Sequence, residues 1–247
     1  MSRVVVRVLD QEIAVDYTLG PALLYDLAGD QLSRWTRENG QASNTYSYDK
    51  ASNVTLSGGV MSIRGARETA PNGAAFTSGD ALGRHVRVPN YFTAEVRARL
   101  PYGPGIWPCP LWFRPLTDSV GEIDVVEQFG ALPYMKATLH NAYGTGHKTI
   151  GSTLRWDRLA NPSPTAEHTW RIVKTPGSMR ATCDGVSLAN FTPASAPAGF
   201  DWAAVFEASK EWYPRVTLQL GSDGAAGNLD PSFTSCVMQV TGLRIWA

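Results

Sequence analysis

The chain has no excess of either charge, with 22 Lys and Arg facing 22 Asp and Glu over 247 residues. A nucleic-acid binder needs a basic footprint for the phosphate backbone, and a neutral chain supplies none overall. Cysteine is scarce: Cys109, Cys183 and Cys236 are an odd set that cannot close into a disulfide framework. No CxxC pair occurs, which removes the usual zinc and thioredoxin-type spacings, and the three are expected to be buried free thiols, with one disulfide plus one free thiol as the alternative. No apolar run approaches the ~18 residues of a bilayer-spanning helix, so no membrane partner is expected. The first residues also lack the unbroken apolar stretch of a secretory signal, because Arg7, Asp10 and Glu12 interrupt it, and an unprocessed start is expected. A Gly-x-Ser-x-Gly elbow, a Walker loop and a His-Glu-x-x-His pair are likewise missing.

Glycine, proline and aromatics are plentiful: 23 Gly, 16 Pro, eight Trp, nine Tyr and eight Phe. That mixture suits short strands joined by tight turns. Period-two alternation dominates the sequence. It is cleanest in Phe92–Leu100, where Phe92, Ala94, Val96, Ala98 and Leu100 share one face, and it recurs in Arg215–Leu220. Ser57-Gly58-Gly59 and Pro176-Gly177 each separate two such runs and read as hairpins. Helical periodicity is confined to Pro21–Arg37 and Asp201–Lys210. The expected fold is therefore one all-β sandwich over residues 31–247, with residues 1–30 as an arm that packs on the domain or on a partner.

The informative stretch is Gly121-Glu122-Ile-Asp124-Val-Val-Glu127-Gln-Phe-Gly130. Glu122 and Asp124 are two apart and share a face, whereas Glu127, five from Glu122, falls among Ile123 and Val125 in a regular strand. A bare carboxylate in that core face is costly. One extra residue, Val125 or Val126, returns Glu127 to its companions through a β-bulge. Three clustered carboxylates suit glycoside cleavage, in which one acid attacks as a carboxylate and another donates a proton. Like charges at close range raise the pKa of at least one member. Residue pattern alone leaves open a second reading, an acidic strand face turned to water.

The stretch GEIDVVE resembles the signature of glycoside hydrolase family 16, which includes the laminarinases, lichenases and agarases. The likeness continues in order through Tyr91–Pro101, Gly105-Ile-Trp107-Pro108, Thr138-Leu139-His140, His168-Thr-Trp170 with Cys183-Asp184-Gly185, and Gly242–Trp246. It covers the chain from about Ser43 to the C-terminus. The resemblance implies a concanavalin-like β-jelly-roll of two antiparallel sheets with a concave substrate cleft. It also implies retaining, endo-acting hydrolysis of a β-linked polysaccharide, a β-1,3- or β-1,3-1,4-glucan first among them, with transglycosylation through the same covalent intermediate as a further option. No redox or nucleotide cofactor is implied. By position, Glu122 becomes the nucleophile, Asp124 the assisting acid and Glu127 the general acid/base.

Trp107 and His140 are expected beside the cleavage point on the same resemblance, and Arg84 and Tyr46 take the places of a cleft arginine and an early aromatic. Pro110 departs from the family pattern, so Trp112 is expected to be displaced or bulged. Gln219, facing opposite Leu218 and Leu220, is expected to look into the cleft, and Trp202 and Trp212 to form leaving-side sugar platforms. Many family members hold a calcium ion through a carboxylate in the last strand. Thr241 stands there instead, and a hydroxyl is a poor oxygen ligand, so no conventional metal site is expected at that place. A second reading is a non-catalytic carbohydrate-binding or adhesion module riding on a larger assembly, such as a virion tail, through the N-terminal arm. Either way the expected partner is an extracellular or cell-wall glycan, and without a Sec-type signal its delivery needs another route.

Overall fold

The computed structural model describes residues 4–8, 11–15, 21–42, 44–118, 120–142, 146–224 and 226–247. Alternation in the sequence becomes alternation in burial. In Phe92–Arg99 the residues Phe92, Ala94, Val96 and Ala98 are buried and those between them are not. Val54–Ser57 turns into Val60–Arg67 through Gly58 and Gly59, both at positive φ (56° and 75°), as a two-residue hairpin turn requires. The other expected hairpin pairs Glu167–Thr175 with Ser178–Cys183, with Thr175 opposite Ser178.

Two sheets follow. The first runs Val186–Phe191, Ser178–Cys183, Glu167–Thr175, Phe92–Arg99, Ser235–Trp246, Val60–Arg67, Val54–Ser57. The second runs Thr149–Arg155, Tyr134–His140, Glu122–Glu127, Ile106–Pro115, Glu211–Leu220, Phe76–Leu82, Thr36–Arg37. Phe76–Leu82 joins them: its first residues pair with Val60–Arg67 and its later ones with Glu211–Leu220. These pairings are antiparallel, while Ser47–Asp49 lies parallel to Phe76–Leu82. The result is a jelly-roll sandwich.

The core fills the space between the sheets. Phe92 of the first sheet meets Phe113 of the second with ring centroids 4.8 Å apart. The Trp170 indole N–H points at Met135 Sδ at 3.1 Å across the same gap. Burying large side chains of this kind contributes roughly 1.5–3 kcal/mol each. Cys109 and Cys183 are buried and Cys236 half-buried, all as free thiols.

One expectation needs correction. Pro21–Arg37 is not a helix. Leu23–Asp26 is a strand on the edge of Ser235–Trp246, and only single 3-10 turns follow at Leu27–Gly29 and Leu32–Arg34. Strand pairing wins because it buries Tyr25 and Leu27, and Asp30 gathers the Tyr25 hydroxyl (2.6 Å) and the Trp35 indole N–H (2.9 Å). Residues 23–30 of the expected arm are thus built into the sandwich. Val4–Val8 and Gln11–Val15 pair with each other, and the rest of positions 1–20 lies outside the described residues. The second helical segment, Asp201–Lys210, holds one short helix, Ala203–Phe206. Among the described residues no helix is long and apolar enough to cross a membrane.

Candidate active site

The open face of the second sheet carries a cleft of about 800 Å³. Its floor depends on two adjacent bulges. Asp124 pairs with Thr138 but Glu127 with Lys136, so the Glu122–Glu127 strand spends one residue more than its neighbour. On its other side Leu111 pairs with Val126 and Trp112 with Asp124, which identifies Val125 as the extra residue. Val125 and Val126 are both fully buried, and Glu127 returns to the face of Glu122 and Asp124. Ile106–Pro115 bulges beside it: Cys109 pairs with Thr217 and Trp112 with Arg215. That irregularity, at Pro110-Leu111, keeps Trp107, Cys109, Trp112 and Arg114 on the cleft side while Leu111 and Phe113 enter the core.

Gly121 sets the start of the acidic strand. Its φ is +100°, and a Cβ there would lie 2.5 Å from the Ala204 carbonyl oxygen, so a side chain is excluded on both counts. Glu122 Oε2 then meets Arg114 Nη1 at 2.8 Å. Asp124 Oδ2 lies 3.0 Å from His140 Nε2, and Glu122 Oε1 lies 3.8 Å from the same nitrogen. Glu127 accepts from the Trp107 indole N–H on Oε1 (3.1 Å) and from the Thr138 hydroxyl on Oε2 (3.4 Å).

Burial, then the charge of Asp124, pushes the Glu127 carboxyl well above its ordinary range, with His140 and the Trp107 hydrogen bond opposing. Burial and the Glu122 charge do the same to Asp124, with Arg114 and Lys136 opposing. Burial lowers His140, against the pull of Glu122 and Glu127. A carboxyl whose burial favours its neutral form, on the same floor as one paired with an arginine, offers the two roles that acid-assisted glycoside cleavage needs.

Trp107, Trp112, His140 and Gln219 line the cleft with the three acids. Trp112 points its indole N–H at the Thr217 hydroxyl, 2.7 Å away. Trp212, Arg84 and Tyr46 are not among the lining residues. Trp212 is fully buried and donates its N–H to Asn90 Oδ1 at 2.7 Å, so its ring is core. Trp202 stacks on Phe206 with centroids 3.9 Å apart. Arg84 is exposed and lies over the Tyr213 ring, 4.7 Å from its centroid. Tyr46 donates its hydroxyl to Asp223 Oδ1 at 2.6 Å and its ring covers Gly221.

The cleft also holds residues that sequence reasoning missed. Arg114 keeps step with Trp112, and Lys136 with Thr138 and His140, so parity along each strand was a usable signal. Asp49, Asp80, Arg215 and Thr217 line the cleft too. Asp80 is ion-paired with Arg215 and accepts from the Thr217 hydroxyl, and the Arg215 guanidinium lies 4.0 Å over the Trp112 ring. Burial and the charge of Asp80 push Asp49 up to about 7.

Among the described residues, two groups bring three potential metal ligands within 4.8 Å of one another: Glu122, Asp124 and His140, and His168, Cys183 and Asp184. In the first, Arg114 already supplies the positive charge. In the second, His168 spends both ring nitrogens on Asp184 Oδ2 and the Ser163 carbonyl, and burial pushes the Cys183 thiol up. Both sets are satisfied by protein groups.

The chain is similar in outline to the laminarinase catalytic domain of Thermotoga maritima, with a TM-score of 0.77 at 20% identity over 92% of this chain and 98% of that one. It is similar also to the endo-β-1,3-glucanase of Pyrococcus furiosus, with a TM-score of 0.76 at 23% identity over 98% and 97%. The fold is that of the laminarinases and endo-β-1,3-glucanases. In sequence, a β-glucanase of Rhodothermus marinus is 29% identical over 145 residues, 55% of this chain and 49% of that protein. The chain thus spans about half the length of that curated relative. No protein-family model matches it. On this laminarinase-like fold, the acid triplet occupies the concave face of the sandwich.

Proposed function

We propose that this protein is a member of glycoside hydrolase family 16 that cleaves a β-linked polysaccharide internally, with retention of configuration. A β-1,3- or β-1,3-1,4-glucan is the first candidate substrate, in keeping with the glucanase relatives. The supporting observation is the bulge at Val125, which gathers Glu122, Asp124 and Glu127 on one cleft floor. In this reading Glu122, oriented by Arg114, attacks the anomeric carbon. Glu127, buried and held by Trp107 and Thr138, gives its proton to the leaving oxygen and then takes one from the water that releases the sugar. Asp124 lies beside Glu122 with the His140 imidazole on it, and takes part in the proton balance of the nucleophile. Trp107 and Trp112 offer ring faces for stacking on the apolar side of sugar rings.

Reducing-end release from laminarin, lichenan and β-galactans tests this. The wild-type protein is expected to release oligosaccharides from at least one, and Glu122→Gln to lose at least about 10³-fold in kcat. Glycan binding by the wild type without release of reducing ends would replace hydrolysis with the adhesion reading.

A further inference from the structure

His140 is bonded on both sides. Its Nε2 lies 3.0 Å from Asp124 Oδ2, and its Nδ1 lies 2.8 Å from His147 Nε2. The two imidazole planes lie within 15° of each other with centroids 5.1 Å apart, the edge-to-edge arrangement an in-plane N–H···N bond requires. Asp124 is buried, His140 has little exposed side chain and His147 is an exposed residue of the cleft lining, so the line runs from the floor of the cleft to its exposed wall. A neutral imidazole accepts on one nitrogen and donates from the other, which makes such a line a path for a proton. The charged and titratable groups around it are Glu122, Asp124 and Glu127 from the acidic strand, Arg114 from the next strand, and Lys136 from the strand of His140 itself.

We propose that His147 is a positioning residue that completes an Asp124–His140–His147 proton relay, through which the buried middle acid exchanges its proton with water at the exposed wall of the cleft. Asp124 passes its proton to His140 Nε2, His140 passes the one on Nδ1 to His147 Nε2, and His147 releases the one on Nδ1 to water. One proton leaves, and both rings end in the opposite neutral tautomer. The return step runs the same bonds backwards. Burial holds His140 toward its neutral form, which a relay requires. The catalytic role rests on the hydrolase reading, whereas the relay itself is a property of three side chains.

Two measurements separate these. The chain has four histidines, so imidazole ¹⁵N shifts can be assigned one by one. In wild-type protein His140 is expected to show one predominant neutral tautomer, coupled to the titration of Asp124. In His147→Ala and His147→Gln, Nδ1 loses its imidazole partner and its shift moves. Unchanged His140 shifts and an unchanged Asp124 titration in both variants would overturn the relay, whatever the protein cleaves. On a cleaved glycan, both variants are expected to lower kcat by about tenfold, with KM changed less than about twofold and one limb of the kcat pH profile displaced. His147→Gln keeps a hydrogen-bonding group but cannot pass a proton, so wild-type kcat and pH profile in that variant would reduce His147 to a structural contact and overturn the proposal. A wild-type protein that cleaves no glycan sinks the hydrolase reading and leaves the ¹⁵N result to decide the relay.

Discussion

Trp107 donates its indole N–H to Glu127 Oε1 at 3.1 Å. The same ring lines the cleft and lies 5.1 Å from Phe129. In the hydrolase reading, one side chain therefore both offers a surface for a sugar and aims the acid. Trp107→Phe keeps a ring and deletes the bond. That bond favours the ionised form of Glu127, so its loss raises the carboxyl further. A general acid works while protonated, and the alkaline limb of kcat/KM should move to higher pH. Poorer aim should lower kcat by about tenfold. A pH–rate series on Trp107→Phe checks both; a limb that moves to lower pH contradicts the assignment of Glu127 as acid.

Buried acids with raised pKa values make the folded state hold protons that the unfolded chain has released. For Glu127 the native state binds more protons than the unfolded state once pH rises above 4.5, so stability falls as pH climbs through the raised folded value. Asp49 does the same between 3.8 and about 7. Glu127→Gln removes the charge and should raise the melting temperature relative to wild type, by little at pH 4 and by more at pH 8, while abolishing turnover. Thermal melts across that range test it; a melting temperature below wild type at pH 8 counts against a carboxyl destabilised by burial.

In the lining of the cleft, Asp80 and Arg215 form a buried pair, with 5% and 16% of their side chains exposed. Asp80→Ala leaves the guanidinium without its carboxylate, which costs about 3–5 kcal/mol. Removing both partners should cost less than the sum of the single changes. Arg215 also lies over Trp112, so KM for a long glycan should rise in Arg215→Ala more than for a short one. Urea unfolding of the single and double variants, with KM measured against chain length, decides these points.

Much of this site was legible because it broke a rule. Glu127 has the wrong parity for a regular strand, and the cost of burying it among Ile123 and Val125 pointed to a bulge. The sequence left Val125 and Val126 as equals; the registers against Leu111 and Thr138 choose Val125. Trp107, His140 and Gln219 followed from position or parity. Trp212 misled because its burial is decided far away in sequence, by Asn90 at its N–H and Lys174 over its ring. The Asp49, Asp80 and Arg215 group was invisible because its members sit on separate strands that only the sheet brings together. His147 was missed because its partner is seven residues back in the chain, and only the fold brings the two rings together. The short segment around Leu23–Asp26 carried a weak helical pattern, and an open edge of the last strand overrode it.

The most direct test is the anomer released first when the protein cuts a β-glucan, followed by proton NMR before mutarotation. Glu122 attacking the sugar and Glu127 acting as acid and then base require the β-anomer at the new reducing end. Initial release of the α-anomer would mean that water attacks directly, and would contradict Glu122 as the nucleophile.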